Sequence, residues 1–287
     1  MKKIITHINP DTDAIAAVWL IKRFLPGWEE ATIGFTKAGG DNKKIAGVDE
    51  NADILYVDVG RGKFDHHQSG EISSATKLIW KYIQKQTLGT GFKETERLAI
   101  QELVEVENEI DNARDLKWPE IYQPRYFFYF HLIVDGLRGC GESDQQVMEY
   151  GFRTLDSILL NLKAKIKAAK ELKKGIVFAT PWGKGIGVET GNKQVLFRGE
   201  VGGYVVVVKK DPKTGGVQIY ARWDTRVDLT NAYNQYKQLD RQSDWFLHAS
   251  KKLLLNQASV NPDMRPTKLT LEQIIAVLKK PVHHTGG

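Results

Sequence analysis

The chain has 287 residues, 41% of them hydrophobic and 26% charged, with a net charge of +6. That length exceeds what one core usually needs, so a soluble protein of two domains is expected. No apolar run reaches the ~18 residues of a membrane span. Asp11 and Asp13 interrupt the first segment too early for a secretory leader, and the single cysteine, Cys140, excludes an internal disulfide. An intracellular, cytoplasmic protein without membrane contact is therefore expected. The positive balance favours polyanionic or phosphorylated ligands. Cys140 lies between glycines with no partner base, which argues against a nucleophilic role.

In chain order, Lys2–Thr6 reads as a buried strand and Asp13–Phe24 as a helix, with Ala14, Ala17, Val18 and Ile21 on one face and Pro26-Gly27 as its stop. Ala31–Phe35 and Asp53–Val59 read as strands. Ser73 or Ser74 caps a helix to about Gln86, and an acidic helix covers Lys93–Ala113. Strands alternating with helices predict an α/β fold: an open, mostly parallel sheet with flanking helices over 1–152. A connecting helix over 153–174 carries Leu155, Ile158, Leu159, Leu162, Ile166 and Ala169 beside a stripe of Lys163, Lys167, Lys170 and Lys174. Those lysines form either a solvated face or the wall of a substrate channel between domains.

Residues 175–287 are expected to form a smaller α+β domain. Strand-like segments run over 175–180, 194–198 and 204–209, and a turn at 211–216 leads into a hairpin partner over 217–223. Helices are expected near Trp245–Leu255 and over Leu271–Lys279, the latter with a Thr270/Gln273 capping box. Gly183–Gly187 and Gly202-Gly203 read as turns, since neither precedes a helix signal. His283-His284 reads as a tail.

The chemistry concentrates in His7-Ile-Asn-Pro-Asp11-Thr-Asp13, which leaves the first strand and enters the first helix. In open α/β sheets, ligands gather beyond the carboxyl ends of the strands. The third strand brings Asp58 to the same edge, Asp65-His66-His67 follows, and Asp111 closes the acidic helix. Four aspartates so placed repel one another unless cations balance them. Two divalent ions would do so. The mixed His and carboxylate set suits Mn²⁺, with Mg²⁺ or Co²⁺ as alternatives, and a shared carboxylate would let the pair hold a hydroxide between them.

His7, Asp11 and Asp13 in His-x-x-x-Asp-x-Asp spacing, the strand-end Asp58 and the literal Asp65-His66-His67 resemble the DHH phosphoesterase superfamily over roughly residues 1–115. That superfamily includes single-strand exonucleases, oligoribonucleases, cyclic-dinucleotide phosphodiesterases and the manganese-dependent family II pyrophosphatases. The resemblance implies that His7 and Asp11 bind one metal, that Asp13, His66 and Asp111 bind the other, and that Asp58 bridges them. It further implies that His67 acts at the scissile phosphate, with Asp65 supporting the histidines.

Within the superfamily, Asn9-Pro-Asp-Thr-Asp-Ala-Ile resembles the first motif of the family II pyrophosphatases. Their Ser-Arg-Lys-Lys-Gln clamp is not matched by Ser250-Lys251-Lys252-Leu253. Phe64–Gln68, Glu109–Asn112 and Trp245–Ser250 resemble blocks of the melanocyte-proliferating-gene family, a group regarded as metal-dependent nucleases, although its first motif differs. The expected activity is exonuclease-like hydrolysis of single-stranded or short oligonucleotides. Pyrophosphate or dinucleotide hydrolysis, or a non-catalytic nucleic-acid-binding module, are the alternatives. Arg222, Arg226, His248, Arg265 and Lys268 are the substrate-gripping candidates. Trp223, Trp245 and Phe246 are either core residues or base-stacking groups. A homodimer is compatible with the sequence.

Overall fold

The computed structural model describes residues 1–38, 44–68, 70–87, 91–257 and 261–279. The His283-His284 tail lies outside them. The chain divides into two compact units, Met1–Lys163 and Ala164–Gly287. Among the described residues, no helix is long and apolar enough to cross a membrane.

The first unit is built on a parallel sheet of three strands in the order β2-β1-β3. β1 covers Lys3–His7, β2 Thr32–Thr36 and β3 Ile54–Tyr56, so β3 is shorter than its sequence suggests. Helix α1 (Thr12–Phe24) is buried along nearly its whole length from Thr12 to Ile21. It packs against α2 (Ala75–Gln86) and α3 (Glu94–Asp111). Ser74 caps α2 by accepting from Lys77 N–H at 3.2 Å. Helix α4 covers Phe130–Gly139 and α5 Asp144–Leu172, so the helix expected to begin at 153 starts earlier, at Asp144. Its Gly151 lies so close to Ile15 that a Cβ there would collide with that side chain. Asp156 ties α5 to α1 through Trp19 Nε1 at 3.0 Å and the Arg23 guanidinium. Of the lysine stripe, Lys163 pairs with Glu96 at 2.6 Å and Lys167 lies 3.6 Å from Glu171.

The second unit carries a mixed sheet in the order β4-β5-β6-β7-β9-β8. β4 covers Ile176–Thr180, β5 Gly183–Glu189, β6 Val206–Lys210, β7 Val217–Ala221, β8 Phe246–Leu247 and β9 Leu253–Asn256. Three sequence expectations are corrected here. Gln194–Arg198 belongs to a helix, α6 (Gln194–Val201), which makes the crossover between the parallel strands β5 and β6. Gly199 lets it approach, since a Cβ there would sit 2.7 Å from Val207 Cγ2. Trp245–Leu255 is not a helix but the β8–β9 hairpin, whose Lys251 takes a positive φ of 58°. Gly183–Gly187 lies within β5, where a Cβ on Gly185 would meet the Phe178 ring at 2.6 Å and one on Gly187 would meet Ile275 at 2.7 Å. Helices α7 (Thr230–Leu239) and α8 (Leu271–Leu278) complete the unit, and α8 starts at the expected Thr270/Gln273 capping box.

Candidate metal centre

β1 delivers His7 at its carboxyl end, and the loop that follows is tightly held. Ile8 N–H donates to Thr36 at 2.8 Å, and Asn9, at a φ of 52°, donates to Asp144 at 3.1 Å. Asp11 caps α1 by accepting from Ala14 N–H at 3.0 Å. Asp13 accepts from two amides at the start of α2, Ala75 at 2.6 Å and Thr76 at 2.8 Å. Its carboxylate thereby joins the starts of both helices while facing the same edge of the sheet.

Asp58 follows β3 with a φ of 55°, a conformation Asp tolerates better than most residues. Its amide donates to the Phe64 carbonyl at 2.9 Å, closing the loop that returns Asp65-His66-His67 to the same place. Asp65 accepts from Arg61 N–H at 2.7 Å and from His67 at both its amide (3.0 Å) and Nδ1 (2.9 Å). Asp111 arrives from the end of α3, braced by Asn112, whose amide donates to the carbonyls of Ser73 at 3.0 Å and Asn108 at 2.8 Å.

These elements gather three overlapping groups of donor atoms, each with its atoms within 4.8 Å of one another: His7, Asp11 and Asp58; Asp13, His66 and Asp111; Asp58, His66 and His67. Asp58, 3% exposed, turns a different oxygen to each side. Oδ2 lies 3.3 Å from His7 Nε2, whereas Oδ1 lies 3.5 Å from His66 Nε2 and 3.6 Å from His67 Nδ1. His66 Nε2 is also 3.4 Å from Asp111 and 3.8 Å from Asp13. His67 is largely exposed and borders a cavity of about 350 Å³ together with His7, Asp11, Asp58 and Asp65.

The electrostatics follow from this crowding. Burial opposes the charge on His7, but the bond to Asp58 and the nearby Asp11 prevail and raise it to about 9. The Asp58 carboxylate facing it, with Asp111 beside it, likewise lifts His66 to about 9, against burial. Asp58 is held well below the usual carboxylate range by His66 and His7 despite its burial. Burial and the neighbouring Asp58 push Asp111 up to about 6.

Divalent cations fit these residues. The donors are imidazoles and carboxylates, and Asp58 Oδ1 and His66 Nε2 are both buried without a hydrogen-bond partner among the described residues.

Two nearby groups escape a motif reading. Glu107, 4% exposed, lies one helical turn before Asp111, and its Oε2 has no hydrogen-bond partner among the described residues. Burial raises it to about 7, with Asp11 and Asp111 adding to the effect and the Thr12 side chain opposing it. The i, i+4 spacing to Asp111 was its only signal. Arg138 on α4 donates to the Pro10 carbonyl and to Asp135, and its charge acts on Asp11. Nothing in its local sequence distinguishes it.

The five substrate-gripping candidates lie in the second unit and form two groups. Arg222, Arg226 and His248 belong to one end of β9, where Lys252 donates to the carbonyls of Thr225 and Val227 and His248 N–H donates to Leu253. Arg265 and Lys268 belong to its other end, where Asn256 donates to the Arg265 carbonyl. Arg222 is engaged by Asp224 at 3.0 and 2.5 Å, and Arg265 by Asp244 at 3.0 and 2.9 Å. Arg226, Lys268 and His248 are not buried. Trp245 is a core residue stacked on Tyr236, whereas Trp223 is 77% exposed.

No protein-family model and no curated protein matches the chain. Among solved structures it is similar to RecJ of Thermus thermophilus in complex with Mg²⁺, at 13% identity over 97% of this chain and 49% of that chain, with a TM-score of 0.32. It is also similar to an uncharacterized protein from Helicobacter pylori (13% identity, 97% and 98% coverage, TM-score 0.26). A third is a Methanococcus jannaschii protein named as a candidate family II inorganic pyrophosphatase (14%, 98% and 100%, TM-score 0.24). The chain spans about half the length of the RecJ chain. Similarity at this level assigns no function.

Proposed function

We propose that the chain is a two-metal phosphoesterase of the DHH type, acting on phosphodiester bonds of single-stranded or short oligonucleotides. The observation that carries this reading is Asp58, whose two oxygens face two separate donor groups. His7 and Asp11 would hold one cation, and Asp13, His66 and Asp111 the other. Bound there, Mn²⁺, Mg²⁺ or Co²⁺ would acidify water and offset the charge of a phosphate.

The chain's own groups supply the rest. Asp65 fixes His67 through Nδ1, so that Nε2 is the atom left to meet a leaving oxygen. Burial of Asp13 and Asp58 excludes bulk water from the donor atoms. The oligonucleotide preference is supported by the segment between Asp111 and α4. It exposes Tyr122, Phe127 and Phe128, and its exposed Arg114, Lys117 and Arg125 have no ion-pair partner among the described residues. Exposed rings beside such cations suit stacked bases and a phosphate backbone. A pyrophosphatase reading rests on the first motif alone. The Lys251 and Lys252 amines, nearest to that family's clamp, are engaged by Asp228 and by the Thr225 and Val227 carbonyls. The resemblance of Phe64–Gln68 and Glu109–Asn112 to blocks of the melanocyte-proliferating-gene family supports reading the chain as a divergent relative of that family.

The test is a hydrolysis panel with Mn²⁺, setting end-labelled single-stranded RNA and DNA beside a dinucleotide and pyrophosphate, with EDTA controls. EDTA-sensitive shortening of the oligomers supports the proposal. Phosphate release from pyrophosphate alone would replace it with the pyrophosphatase reading.

A further inference from the structure

The second unit holds a polar cavity at the opposite end of β6 and β7 from Arg222. β5 and β6 run parallel and α6 connects them, so the carboxyl ends of both strands and the amino end of α6 share one edge. Edges of this kind collect ligands, and the helix end favours negative charge. A cavity of about 240 Å³ opens there, lined among others by Gly191, Lys209, Asp211, Gln218 and Gln257.

Lys209 is the decisive residue. It is only 4% exposed, and its ammonium makes one long hydrogen bond, 3.4 Å to the Thr190 carbonyl. It has no ion-pair partner among the described residues. Asp211, the carboxylate lining the cavity, is occupied by the Lys213 and Thr214 amides at 2.9 and 3.4 Å through Oδ1. A buried ammonium without a direct ion pair is costly. Burial draws Lys209 below its ordinary value, with the nearby Asp211 charge opposing that effect and the Lys193 charge adding to it. Gln257 also lines the cavity, and its Oε1 is buried with no hydrogen-bond partner among the described residues. The site thus presents a buried cation with no direct ion pair and an unused acceptor.

We propose that this cavity binds a small phosphomonoester whose phosphate pairs with Lys209 and whose hydroxyl or amino group donates to Gln257. The ligand chemistry is that of a nucleoside or sugar monophosphate. The site is independent of the reaction proposed for the first unit.

Calorimetry on the full chain tests this, in EDTA and with Asp58→Asn so that the first unit cannot retain phosphate through metal. The probes are adenosine 5′-monophosphate, glucose 6-phosphate and inorganic phosphate. At least one ester is expected to bind more tightly than phosphate, Lys209→Met to weaken it by about tenfold or more, and Gln257→Leu to remove the advantage over phosphate. Should Lys209→Met fail to fold, acetylation of Lys209 in the otherwise unaltered chain, followed by mass spectrometry, decides the matter. Slower acetylation with the ester supports the site, and an unchanged rate overturns it. Absence of binding by all three probes at millimolar concentration, unchanged affinity in Lys209→Met, or phosphate binding as tightly as both esters would each overturn the proposal.

Discussion

Asp58 Oδ1 and His66 Nε2 face each other across 3.5 Å, and both are buried without a hydrogen-bond partner among the described residues. Asp58 is also the residue that the group built on His7 shares with the group built on His66 and His67. Its replacement therefore touches both halves of the centre. Asp58→Asn keeps the shape and suits the positive φ of 55°, so the fold should survive, as circular dichroism would verify. Turnover should fall more than ~100-fold, beyond the range typical of outer-sphere partners. Wild-type turnover in that variant contradicts the shared role of Asp58.

Metal binding should release protons. His7 and His66 are raised to about 9, so both are protonated near pH 7 and must lose that proton to bind a cation. Affinity for Mn²⁺ should rise with pH up to about 9. The binding enthalpy should vary with the ionisation enthalpy of the buffer, and independence from the buffer would refute proton release. In the absence of metal the sign reverses for stability: the contribution of these histidines is complete below 6.5 and is lost as pH rises through about 9.

Glu107 offers a separable pH effect. Its native value of about 7 lies above the ordinary 4.5. The metal-free protein therefore loses stability as pH rises from about 4.5 through 7. Glu107→Gln should raise the metal-free melting temperature at pH 8 and leave it near wild type at pH 4, where the carboxyl is already neutral. An equal shift at both pH values would show that the effect is one of packing.

His67 and Asp65 should separate chemistry from metal retention. His67→Gln is expected to lower turnover by ~10²–10⁴-fold with metal content preserved. Asp65→Asn should cost about 10–100-fold. It should also lower the apparent pKa of His67, which the bond to Asp65 raises. Loss of bound metal in His67→Gln would instead make that histidine a ligand.

The close approach of α5 to α1 predicts a structural effect far from any chemistry. Gly151→Ala forces a methyl into Ile15 and should destabilise the first unit by about 1–3 kcal/mol, as measured by urea denaturation.

The first unit was legible because its chemistry sits at the ends of regular elements. Strand periodicity placed His7 and Asp58 at one edge, and helix spacing placed Asp111 at the end of α3. The second unit was harder to read. Gln194–Arg198 has strand-like residues, and the contact that makes it a helix, Gly199 on Val207, is tertiary. Residues 245–255 hide a turn at Lys251 whose positive φ no residue type announces. Two arginines that residue type alone marks as phosphate grips have acidic partners instead. For Arg222 this is Asp224, two residues away, and for Arg265 it is Asp244, twenty-one away.

The most direct test of the two-metal account is the stoichiometry of Mn²⁺ binding to the purified, chelator-stripped chain, measured by calorimetry and by metal analysis after desalting. The account predicts two ions per chain, with binding at both positions weakened by Asp58→Asn. A single ion unaffected by that substitution, or no binding of Mn²⁺, Mg²⁺ or Co²⁺, would contradict it.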